Sequence, residues 1–199
     1  MTCNSFPLEL NMSYTIDPHL SALLSQHADA LSQRYSRLIP FRMDFSFLNG
    51  TVLHRIRRDD YSAREMYLLA EYALQELDGI VGYAWVQEFT PQHGIHYHAV
   101  FYLNGQHHRV PQEFIYALVD YWRHYTGGDG WFHDCTRDRK RYPYDGQRVL
   151  HYADPEQRKS LTRMLGYLAK TEQKDYSNYC FGLSDVPAPS RRGRPRKHP

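Results

Sequence analysis

The chain has little cysteine: Cys3, Cys135 and Cys180 are the three in 199 residues. They are odd in number, far apart and free of any C-x-x-C spacing. That excludes a disulfide scaffold and a thiolate zinc site, and it fits a reducing compartment. Long apolar runs are missing as well, and none approaches the ~18 residues of a membrane span. The opening residues, Met1 to Pro7, hold neither a basic region nor an apolar stretch, so no secretory signal is expected. These absences predict a cytoplasmic protein without a membrane partner. The phosphate-cradling G-x-x-x-x-G-K-[ST] pattern is also absent, so no attached helicase module is expected.

An excess of one charge is lacking too. Lys and Arg number 24 against 22 Asp and Glu, a net +2. The distribution is uneven. Residues 187–199 carry Arg191, Arg192, Arg194, Arg196 and Lys197 with no acid, so the rest nets 19 − 22 = −3. Attraction to polyanions must therefore come from local patches and the tail.

What is present reads as an α+β chain. Leu20, Leu23, Leu24, Ala28 and Leu31 recur at helical spacing over 18–36. Pro40 then opens a strand in which Phe41, Met43, Phe45 and Phe47 alternate with Arg42, Asp44 and Ser46, the pattern of a half-buried strand. A second helix spans 61–78 and stops at Gly79. Residues 80–103 read as a β-hairpin turning through Thr90-Pro91-Gln92-His93-Gly94. A helix runs from Pro111 to about Tyr125, and Gly127, Gly128 and Gly130 break it. Residues 131–150 are polar, with room for one short strand. A helix opening at Asp154-Pro155-Glu156 runs to about Gln173, followed by a short strand over 179–183. The expected architecture is α+β, a central, mostly antiparallel sheet with flanking helices in a ferredoxin-like layout. The expected units are an N-terminal helical lead-in over 1–37, one domain over 38–185 and a basic, disordered tail over 186–199.

Five of the twelve histidines (His93, His96, His98, His107, His108) fall within sixteen residues. In His96-Tyr97-His98 the two imidazoles project from one face of a strand and can share one ion. The preceding strand offers Glu88, which joins that face if it pairs opposite His96 or His98. Two imidazoles and one carboxylate, with positions left open, suit Mg²⁺ or Mn²⁺ better than a closed zinc site. Gln92 or His93 remains an alternative to Glu88. The same spacing also suits a wetted strand face, and other metalloproteins with an H-x-H strand stay open.

On the helix over 158–173, Leu161, Met164, Leu165 and Leu168 form an apolar stripe. At 100° per residue, Tyr167 lies about 120° from its centre. It shares a face with Ser160, Arg163, Lys170 and Lys174. Core packing does not easily explain it there. A cation three residues on, Lys170, lies beside it on the helix surface and favours the nucleophilic phenolate. A surface tyrosine beside a solvated lysine has the same spacing.

Together these features fit metal-assisted attack of a tyrosine on a phosphodiester. Trp85-Val-Gln-Glu88, Gly94-Ile-His96-Tyr-His98-Ala-Val-Phe and Gly166-Tyr167-Leu-Ala-Lys170 resemble the His-hydrophobic-His (HUH) endonucleases. Among these they look most like the inovirus-type replication initiators, including the YagK/YfjJ C-terminal-domain proteins. The resemblance covers roughly 38–185 and implies the ferredoxin/RRM-like HUH fold. It implies that His96, His98 and Glu88 hold Mg²⁺ or Mn²⁺. It implies that Tyr167 attacks the scissile phosphate, leaving a 5′-phosphotyrosine and a free 3′-OH, with Lys170 assisting. The implied role is to start rolling-circle replication of a filamentous phage or mobile element in a bacterial cytoplasm. Its partners would be single-stranded or hairpin origin DNA and a host helicase. Initiators with two catalytic tyrosines place them three or four residues apart. The positions four residues either side of Tyr167 are Arg163 and Thr171, which predicts a single-tyrosine enzyme.

DNA contacts are expected from Arg55, Arg57 and Arg58, and from Arg137, Arg139, Lys140 and Arg141. Arg192-Gly193-Arg194-Pro195 resembles the core of an AT-hook, in which Arg-Gly-Arg lies in a narrow minor groove. Two other readings fit: a non-enzymatic DNA-binding regulator using that tail, and a single-tyrosine HUH transposase.

Overall fold

The computed structural model describes residues 14–55, 63–138, 146–174 and 180–188. Helix α1 spans Pro18–Arg34. Its first turn is set by Pro18, whose fixed φ suits that position, and by Asp17, whose side chain accepts from the His19 and Leu20 amides. Strand β1 follows (Arg37–Phe47), then the short α2 (Val52–Arg55) and α3 (Arg64–Glu76). Strands β2 (Ile80–Thr90) and β3 (Gly94–Asn104) form the hairpin, and α4 covers Gln112–Tyr125. Strands β4 (Gly130–Asp134) and β5 (Leu150–His151), helix α5 (Pro155–Leu168) and β6 (Phe181–Leu183) complete the order.

The architecture is α+β: six strands, every pairing antiparallel, flanked by helices. The strand order is β4-β1-β3-β2-β6, with β5 also on β1. Connections β1-α3-β2 and β3-α4-β4 each step over a neighbour. Both helices lie on the face of odd-numbered residues, where Phe41, Phe45, Trp85, Tyr97 and Phe101 meet Met66, Leu69, Leu118 and Trp122. Fully burying a side chain such as Phe45 or Phe101 stabilises by roughly 1.5–3 kcal/mol. The even-numbered face carries a second core. There Val86, Val100 and Tyr102 meet Leu20, Leu24 and Leu31 of α1 and the α5 stripe Leu161, Met164, Leu165 and Leu168. Helix α1, expected within the lead-in, is thus packed into the same sheet as the rest.

Four expectations shift. First, β1 begins at Arg37, ahead of Pro40. Amides at positions i and i+2 of a strand point to the same side, and the Arg42 amide points at Gln147 Oε1, in the gap between β5 and β4. The amide that Pro40 lacks would point into that gap, so no ladder bond is lost. Second, β1 is not half-buried, because Arg42, Asp44 and Ser46 are all buried on the even face. Third, α5 ends at Leu168, five residues before Gln173. The chain then turns back, with Gln173 at φ 68°, and 169–172 is clamped by the segment before α1. Asp17 N donates to Ala169 O (2.8 Å), Thr171 N to Thr15 O (2.8 Å), and Ile16 bridges Lys170. Fourth, between α4 and α5 the described residues hold two short strands, β4 and β5, rather than one. Of the expected last strand, Tyr179 lies outside the described residues. So do Arg57, Arg58, Arg139, Lys140, Arg141, Arg192 and Arg194.

Candidate active site

Sheet register builds the site. Glu88 on β2 pairs with His96 on β3, Val86 with His98, and on the other side Ser46 pairs with His96 and Asp44 with His98. Paired residues share a face, so Glu88, His96, His98, Asp44 and Ser46 all project toward the α1–α5 layer. One donor atom each from Glu88, His96 and His98 lies within 4.8 Å of the others. His98 Nε2 is 3.2 Å and His96 Nε2 3.5 Å from Glu88 Oε2. All three side chains are buried. Among the described residues this is the one cluster of three such ligands, and His93 is not part of it. Gln92 is exposed on the hairpin turn.

Both imidazoles are oriented from behind. His96 Nδ1 lies 3.1 Å from the carbonyl of Gly94, and His98 Nδ1 lies 2.8 Å from Asp44 Oδ1. A carbonyl and a carboxylate can only accept, so each Nδ1 carries a proton, and Nε2 is the ring atom that faces Glu88. Arg42 Nη2 is also 3.0 Å from His98 Nδ1, but its donation goes to Asp44 Oδ2, likewise at 3.0 Å. Acceptors behind the ring orient metal-binding histidines in this way. Gly94 has φ +66°, and a Cβ there would stand 2.9 Å from the His54 carbonyl. That tight turn aims the Gly94 carbonyl at His96.

Charge in the site is dense. Burial alone would push the Asp44 carboxyl up, but the Arg42 guanidinium and the His98 imidazole outweigh it and hold the group ionised, well below the usual carboxylate range. Arg42 grips Asp44 in a two-pronged pair, with Nε and Nη2 each at 3.0 Å. Glu88 follows the same logic. Burial would raise it, and His98, His96 and Lys170 hold it well below the ordinary range.

Tyr167 sits on the last turn of α5, half-buried, with its ring 5.4 Å from His98. The Arg42 guanidinium lies 4.4 Å from the ring centroid, and Tyr14 meets the ring edge-on at 5.9 Å. Lys170 Nζ is 3.1 Å from the Tyr167 hydroxyl. The lysines do not lie on a solvated helix face, because α5 ends before them. Both are buried and fold inward onto Glu88: Lys170 Nζ reaches Oε2 at 3.1 Å and Lys174 Nζ reaches Oε1 at 2.6 Å. Burial lowers the Lys174 pKa, and Glu88 opposes that shift.

Sequence reasoning missed Arg42, Asp44 and Lys174. The first two had a signal in their even parity on β1, the same parity as Glu88 and His98 on the paired strands. Of the expected DNA contacts, Arg137 is exposed and pairs with Asp134 Oδ2 at 3.1 Å. Arg55 closes α2.

The donor set suits a divalent cation. One candidate ligand atom from each of the three residues lies within 4.8 Å of the others, and two imidazole nitrogens with one carboxylate oxygen are a common ligand set for such ions. No helix among the described residues is long and apolar enough to cross a membrane. The chain matches no protein-family model, no curated protein and no solved structure.

Proposed function

We propose that the chain is a metal-dependent, single-tyrosine HUH endonuclease and strand transferase. In this reading it nicks single-stranded or hairpin origin DNA to start rolling-circle replication of a filamentous phage or mobile element. The observation that carries the reading is the place of Tyr167, against His98 of the Glu88–His96–His98 group with Lys170 at its hydroxyl. The order β4-β1-β3-β2, with α3 and α4 on one face, supports the ferredoxin/RRM-like layout of that family.

The chemistry follows from these residues. The Tyr167 oxygen forms a bond to phosphorus as the bond to the 3′-oxygen breaks. Its proton is lost to water, and the leaving 3′-oxygen takes one from water. Lys170 stabilises the anionic phenolic oxygen and then neighbours the phosphate. Arg42, whose guanidinium lies over the Tyr167 ring, and Asp44, behind His98, fix nucleophile and ligand relative to one another. Glu88, His96 and His98 would hold the Mg²⁺ or Mn²⁺ ion, whose contribution when bound is to neutralise charge on the phosphoryl and leaving oxygens. The 5′-phosphotyrosine conserves the bond energy, so a later 3′-OH can reverse the step and reseal the strand.

Arg137, Arg139, Lys140 and Arg141 are proposed to contact backbone phosphates, and Arg192 and Arg194 to contact a minor groove. A host helicase would open the duplex, in a bacterial cytoplasm. The test is incubation with labelled single-stranded phage-type circles, with Mn²⁺ or EDTA, for wild type and Tyr167→Phe. The expected result is an SDS-stable protein–DNA adduct that needs metal and vanishes in Tyr167→Phe while DNA binding persists. Binding without any adduct would favour the regulator reading.

A further inference from the structure

Among the described residues, strand β4 is the outermost strand on its side of the sheet. Trp131 pairs with Ser46, and Ser46 pairs on its other side with His96. Trp131 therefore projects from the same face as the metal-ligand group, two inter-strand spacings or roughly 10 Å from His96. His133 pairs with Asp44 and shares that face. The Trp131 and His133 rings are parallel to within 7°, with centroids 6.3 Å apart. His133 is itself held by Asp138, whose Oδ2 is 3.2 Å from Nε2. Among the described residues, the core beneath α1 and α5 includes none from β4, and Trp131 is half-buried. The other two tryptophans, Trp85 and Trp122, are fully buried at 0% exposure.

A flat indole braced by a second ring, beside a phosphodiester-cleaving centre on the same sheet face, fits one chemistry. Single strands bind by stacking bases on aromatic side chains. A duplex keeps its bases stacked on one another and offers none. We propose that Trp131, backed by His133, is a stacking platform for a nucleobase flanking the scissile phosphate of single-stranded DNA. The inference rests on the nicking reading for that phosphate, and its occupant is a base of the same strand. Trp131 is a positioning residue, which sets where the strand lies and leaves the reacting atoms to Tyr167.

The test uses the full chain and tryptophan emission. Because Trp85 and Trp122 are sealed in the core, a base stacking on the surface reports through Trp131. Oligodeoxythymidylate is expected to quench emission in the wild type, while a blunt duplex leaves it nearly unchanged. Trp131→Phe is expected to lose the quench and, keeping a ring, to hold most of the affinity measured by anisotropy. Trp131→Ala is expected to lose roughly five- to 150-fold in affinity, the effect of removing one base–aromatic stack. If Trp131→Ala unfolds, the wild-type quench and its loss in Trp131→Phe decide alone. Strand binding with emission unchanged overturns the platform, as does an alanine variant that binds as tightly as wild type. A quenched strand in a protein that forms no covalent adduct supports the platform and removes the nicking reading instead.

Discussion

The Asp44 carboxylate lies 2.8 Å from Nδ1 of His98, on the side of the ring away from Glu88. That contact puts a proton on Nδ1 and leaves Nε2 facing Glu88. Asp44→Asn keeps the shape and removes the anion. Outer-shell partners of this type are worth 10–100-fold in metal affinity, and a fall of about that size is expected for Mn²⁺ by titration calorimetry. The variant also leaves buried Arg42 without its anion, a loss of about 3–5 kcal/mol in urea unfolding. Unchanged Mn²⁺ affinity would show that Asp44 serves Arg42 alone.

Glu88 meets two buried ammonium groups as well as two imidazoles. An ion that binds only the folded chain raises its stability, by about 2.7 kcal/mol at a hundred times the dissociation constant. Added Mn²⁺ is expected to raise the melting midpoint of wild type and to leave that of His96→Ala/His98→Ala in place. Equal upward shifts in both proteins would locate the binding elsewhere.

His27 is buried, with Nε2 3.0 Å from Ser184 Oγ and 3.1 Å from Ser184 O. Burial lowers its pKa from 6.5, and the backbone bond to Ser184 opposes this only in part. The unfolded chain then binds more protons than the folded one below that value. The stability His27 contributes is present above about pH 6.5 and is lost as pH falls through the window beneath it. Urea midpoints measured across that range are expected to drop more steeply for wild type than for His27→Gln. Parallel curves would remove His27 as the cause.

The hairpin and its ligand face were legible because strand parity is a local rule: once Glu88 pairs with His96, the face of His98 follows. The length of α5 was not legible. The run through Lys170 and Lys174 continues the helical pattern, but Thr15 and Asp17 capture the chain at 169–171, and that pairing joins residues more than 150 positions apart. The depth of Arg42 and Asp44 was hidden for a related reason. Alternating polar residues read as a wet face unless a second helical layer covers them, and α1 and α5 supply that layer from opposite ends of the chain.

The most direct measurement is the identity of the residue that carries DNA. The covalent adduct formed with Mn²⁺ is trimmed with nuclease, digested with trypsin and sequenced by mass spectrometry. A nucleotide joined through its 5′-phosphate to Tyr167 is the predicted result. A nucleotide on any other residue, or cleaved strands with no protein attached, would contradict tyrosine strand transfer at this site.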